Sequence, residues 1–107
     1  MELNNLLVNF KNNLQESLVI LENSGLGILF VVDDLEKIVG VLTDGDIRRY
    51  LLSNSDLNVT VDMLMNKEFV SLPIDTSNSK LIEHINDNVK IIPLVDENEV
   101  IVDYAAI

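Results

Sequence analysis

Apolar residues along this chain fall into short blocks divided by polar turns, and the same order of blocks occurs twice. Laying Leu18 over Leu81 aligns LVILENSGLGILFVVDDLEKIV (18–39) with LIEHINDNVKIIPLVDENEVIV (81–102) without a gap. Eight of the 22 positions are identical: Leu18/Leu81, Asn23/Asn86, Ile28/Ile91, Val32/Val95, Asp33/Asp96, Glu36/Glu99, Ile38/Ile101 and Val39/Val102. Self-similarity at a fixed offset marks a repeated supersecondary unit. The chain reads as two copies of one unit.

Each copy opens on a short apolar stretch, LLV (6–8) or FVSL (69–72). A helix follows, beginning near Asn13 or Thr76, both good N-cap residues. Leu14, Leu18 and Leu21, and then Leu81 and Ile85, recur at helical spacing. The runs ILFVV (28–32) and IIPLV (91–95) read as strands, each joined by an acidic turn to a second strand, IVGVL or VIVDY. So short a turn predicts an antiparallel hairpin. DGDIRRYLL then reads as a helix to about Leu52, SNSDLN (53–58) as a polar linker, and VTVDMLMN (59–66) as a short helical lead-in. The unit is β-α-β-β-α, and the second copy stops before its last helix.

Composition narrows the chemistry. Seven basic against eighteen acidic residues give a formal net charge of −11, which disfavours nucleic acid and anionic membrane as partners. There is no cysteine and one histidine, so disulfides, thiolate chemistry and a His-rich metal site have no material. No signal peptide and no membrane-length apolar run is present, and a cytoplasmic location is expected. Asp33, Asp34, Asp96 and Glu97 read as solvated hairpin tips. His84 reads as a partly buried or satisfied helical histidine, and Met63 and Met65 as gap-fillers in the core.

The stretch GVLTDGDIRR (40–49) supports three readings. Thr43 and Asp46 have capping-box spacing, and Asp44 and Asp46 suit the positive end of a helix dipole. A D-x-D beyond a strand can also hold Mg²⁺ or accept a phosphoryl group, although the second copy lacks these acids. Thirdly, a strand-to-helix corner suits a nucleotide. Asp46 would accept from both ribose hydroxyls, Thr43 would reach the sugar or α-phosphate, and Arg48 and Arg49 would add charge for phosphate. Gly40 and Gly27 would let a flat base approach the backbone.

The repeated unit together with GVLTDGD, in the pattern G-h-x-T-x-x-D, resembles a cystathionine β-synthase (CBS) domain pair. FVVDDLEKIVGVLTDGDIRR resembles the family's first-copy signature and IIPLVDENEVIVDYA its second. The resemblance implies an α/β (α+β) fold: a tandem CBS pair of two β-α-β-β-α repeats in pseudo-two-fold symmetry, the second truncated. The copies are placed at 1–53 and 61–107, with a linker at 54–60. It implies an adenosine nucleotide (AMP, ADP or ATP) as effector, with no required cofactor, no metal and no catalytic residue. The implied contacts are Gly27, Ile28, Thr43, Asp44, Gly45, Asp46, Arg48 and Arg49, with Asp46 on the ribose and Gly27 and Ile28 bordering the base.

A narrower resemblance, carried by LTDGDIRRYLLSNSDLNVTVDMLMNKEFVSL, is to the CBS pair that precedes certain bacterial sugar-phosphate nucleotidyltransferases. TDGDIRR also resembles the CBS segment of sugar-phosphate isomerases, in which the pair follows the catalytic domain. The start of the chain directly in the first copy favours the transferase. Asp103 and Ala106 replace Gly40 and Thr43 in the second copy, which leaves at most one full site. The expectation is a regulatory homodimeric module that modulates a C-terminal catalytic domain. The alternative is a ligand-free dimerisation module.

Overall fold

A computed structural model describes residues 2–86 and 89–106. Each expected copy forms a three-stranded sheet of its own, so the fold is mixed α and β in two β-α-β-β units. One unit ends at Phe69 and the other begins at Val70. In the first, a 3-10 turn (Leu3–Leu6) leads into β1 (Leu7–Asn9), α1 (Leu14–Ser24), β2 (Ile28–Val32), β3 (Ile38–Thr43) and α2 (Asp44–Leu51). Strand β1 lies parallel to β2, which the α1 crossover allows, and β2 pairs antiparallel with β3 through the acidic hairpin.

Helix α1 starts where the sequence expects. Asn13 Oδ1 accepts from the Glu16 amide at 2.9 Å, and the Glu16 carboxylate accepts from the Asn13 amide at 3.0 Å. The helix ends at Gly25, whose φ of 69° is the left-handed turn that glycine adopts without a Cβ penalty. Leu14 and Leu21 face inward with Val8, Leu29, Val31, Leu42 and Ile47, while Leu18 is only half-buried. Burying a side chain such as Ile47 contributes about 1.5–3 kcal/mol and fastens α2 to the sheet.

Residues 57–66 return onto the first unit. The orphan amides of Leu14 and Gln15 donate to the carbonyls of Val59 (2.8 Å) and Leu57 (3.1 Å). The lead-in is a single 3-10 turn, Val61–Met63, whose Val61 is fully buried. Asn66 then exchanges two backbone hydrogen bonds with Val41, closing the outer edge of β3. Met65 packs on the core as expected, but Met63 does not. It is 73 % exposed, because the turn points it away from the core that Val61 enters.

The second unit holds β4 (Leu72–Pro73), α3 (Asn78–His84), β5 (Ile91–Val95) and β6 (Ile101–Ala106), with β4 parallel and β6 antiparallel to β5. Its helix is capped by Ser77, one residue beyond Thr76, and contains no buried residue. His84 is exposed; its Nδ1 lies 2.9 Å from the Lys80 carbonyl, so it is satisfied without being buried. In β6, Val102 is 43 % exposed, whereas its counterpart Val39 is half-buried.

The two hairpins repeat atom for atom. Asp33 Oδ1 accepts from the amides of Leu35 and Lys37, and Asp96 Oδ1 from those of Asn98 and Val100. Asp34 and Glu97 are exposed as expected, but Asp33 and Asp96 are half-buried because they hold the turn together.

Candidate functional site

The register of the first hairpin assembles the corner. Ile28 pairs with Thr43, and the Asp44 amide donates to the Gly27 carbonyl at 3.1 Å. Residues from the start of β2 thereby meet the end of β3 and the first turn of α2. Of the expected site residues, Gly27, Ile28, Thr43, Asp44, Gly45, Asp46 and Arg49 come together. Arg48 is exposed and forms no ion pair among the described residues.

Thr43 caps α2, and the expected box is present. The Asp46 amide donates to Thr43 Oγ1 at 3.2 Å, while Asp46 Oδ2 accepts from the Thr43 amide (3.0 Å) and from its hydroxyl (2.9 Å). The other oxygen, Oδ1, accepts from Arg49 Nη2 at 2.6 Å. Asp46 is 15 % exposed at its side chain and Arg49 72 %, so a shielded carboxylate carries a solvent-facing guanidinium. That pairing escaped the sequence reading, though three residues along a helix bring two side chains together.

Gly27 has a φ of 71°, and a Cβ built on it would lie 3.0 Å from Asp44 Oδ2. The bare backbone at 27 therefore gives room to the Asp44 carboxylate. Beside it opens a cleft of about 340 Å³ lined by Leu18, Leu21, Glu22, Gly25, Gly27 and Asp44. Glu22 was not singled out from the sequence; only its place on the last turns of α1 could have signalled it. With Asp44 it makes the cleft acidic.

Gly40 does not serve as a base platform. A Cβ there would fall 2.6 Å from Met65 Sδ, so the returning chain occupies its open face. Asp44 and Asp46 belong to no larger ligand cluster: no group of three His, Asp or Glu side chains is placed to hold a metal ion among the described residues. No helix is long and apolar enough to cross a membrane among the described residues.

Residues 4–53 match the family profile of the CBS domain, a span that contains every one of these corner residues. The first unit is similar to a CBS domain over those residues. The chain is also similar to the arabinose 5-phosphate isomerase GutQ of Escherichia coli, 31% identical over 90 residues, which cover 80% of this chain and 27% of that enzyme. The chain thus spans about a quarter of this relative's length. The expected nucleotidyltransferase connection draws no support from it.

Among solved structures, CbpB of Listeria monocytogenes in complex with c-di-AMP superposes with a TM-score of 0.82 at 20% identity, over 94% of this chain and 78% of that one. The cytosolic domain of the Mg²⁺ channel MgtE in complex with ATP gives 0.79 at 22% identity, over 94% and 41%. These likenesses show the CBS-type fold across both units.

Proposed function

We propose that this chain is a regulatory CBS module that binds an adenosine nucleotide at the Thr43–Asp46 corner and modulates an attached sugar-phosphate enzyme. The observation that carries the reading is the meeting of Gly27 and Ile28 with Thr43, Asp44 and Asp46 at one strand-to-helix corner, of which Gly27 and Asp44 also line the cleft. Asp46 supplies the acceptor for ribose hydroxyls, Thr43 the hydroxyl for sugar or phosphate, and the first turn of α2 the positive dipole end. The ligands of the CbpB and MgtE structures, c-di-AMP and ATP, support an adenine nucleotide as the ligand class. Ligand binding biases the attached enzyme by stabilising one arrangement of the module over another.

For the attached enzyme, the likeness to GutQ supports an isomerase acting on a sugar phosphate. The nucleotidyltransferase rests on sequence resemblance alone. Glu22 and Asp44 at the cleft, together with a net charge of −11, favour AMP over ADP and ATP when Mg²⁺ is absent.

A second reading, a homodimerising module without ligand, is favoured by one observation: Asp46 already has partners on both oxygens. Calorimetric titration with AMP, ADP, ATP and GTP separates the two. Saturable binding of an adenine nucleotide, weakened at least about tenfold in a folded Asp46→Ala variant, supports the sensor. A folded dimer that binds none of the four supports the dimerisation module.

A further inference from the structure

A carboxylate offers about four acceptor positions on its two oxygens. In Asp46, Oδ2 takes two donors from Thr43 and Oδ1 takes Arg49 Nη2, so three of about four are engaged. A ribose that presents two hydroxyls to this group needs one more position than remains. Either Thr43 or Arg49 must let go. The Thr43 amide and hydroxyl belong to the capping box that starts α2, and releasing them costs helix stability. Arg49 holds Oδ1 from a side chain that is mostly in solvent, where an ion pair contributes little and is screened by salt.

The guanidinium is also guided back along the helix. Its Nη1 lies 3.4 Å from where a Gly45 Cβ would stand, an ordinary contact distance, so Arg49 lies folded across the first turn of α2. One side chain therefore covers the acceptor assigned to the sugar.

We propose that Arg49 is an internal competitor for the ribose site, a latch on Asp46 that a ligand must displace. The proposal rests on the ribose-binding reading of Asp46 given above. Displacement frees the guanidinium, and a phosphate on the ligand offers it a new partner. A nucleoside bears the cost of unlatching without that return, so Arg49 sets a preference for phosphorylated ligands. This differs from a permanent phosphate-binding role, because the same residue opposes the sugar and favours the phosphate.

The test is calorimetric titration of the full chain with adenosine and with AMP, in wild type, Arg49→Met, Arg49→Gln and Asp46→Ala, at low and high salt. Adenosine is uncharged, so salt reaches its affinity only through the protein. The expected result is adenosine binding about two- to fivefold tighter in both Arg49 variants at low salt, the range an exposed ion pair supplies. Wild-type affinity for adenosine rises with salt until the difference closes, and AMP gains less than adenosine from either substitution. Saturable wild-type binding that is lost in Asp46→Ala but is no tighter in the Arg49 variants overturns the latch alone. Silence of every variant towards both ligands overturns the nucleotide reading and the latch with it.

Discussion

Thr43 and Asp46 close on each other through three hydrogen bonds of 2.9–3.2 Å, so the residues proposed to meet a ligand are also those that start α2. Structure and function share one set of atoms here. Thr43→Ala removes the cap and is expected to destabilise the protein by about 1 kcal/mol, whereas Thr43→Ser retains most of it. Thermal melts of the two variants beside wild type check this, and equal melts would show that the cap contributes nothing.

Glu36 and Glu99 occupy equivalent hairpin positions with φ of 61° and 65°, a left-handed conformation that costs a side-chain-bearing residue about 1 kcal/mol. Both positions favour glycine. Glu36→Gly and Glu99→Gly are each expected to leave the protein as stable or more stable, by up to about 1 kcal/mol, in denaturant melts. A clear loss in either variant would mean that the glutamate side chain contributes something beyond the turn.

Gly40 stands under Met65, with room for no Cβ. Gly40→Ala is expected to cost about 1–3 kcal/mol through overpacking, and Met65→Ala in the same chain to recover part of that loss. A double-mutant cycle in melting free energy checks the coupling. Additive losses would show that the two positions do not meet.

Lys11 donates to Asp34 at 2.6 Å and Asn9 adds a second bond, which together hold the Asp34 carboxyl below its ordinary value of 3.8. A lowered folded pKa means that the interaction stabilises the protein above the unfolded value and is lost as pH falls through the folded one. An NMR titration should place the Asp34 midpoint below 3.8, and Lys11→Met should return it towards that value. The pair is solvent-exposed, so its effect on melting should be small and should fade with salt.

Hydrophobic pattern made much of the fold legible, because a period of two or of 3.6 is written in consecutive residues. The strands Ile28–Val32 and Ile91–Val95 lie on the expected runs, and the Asn13 cap and both hairpins follow from local chemistry. What stayed hidden depends on distant segments. Nothing around Gly40 announces that Met65 will fill its open face, and nothing in residues 57–66 announces that they return to cap α1 and pair with Val41. Helical spacing alone could not place His84 in solvent, because burial depends on what packs against α3. At the corner, residue identities pointed to Thr43 and Asp46, but the grip of Arg49 on Oδ1 needed side-chain geometry.

The most direct test of the nucleotide corner is a backbone amide NMR titration with AMP. Shift changes that saturate and cluster at Gly27, Ile28 and residues 43–49, and that vanish in a folded Asp46→Ala variant, are the expected result. Changes confined to other residues, or none at saturating AMP, would contradict a ligand site built on Thr43 and Asp46.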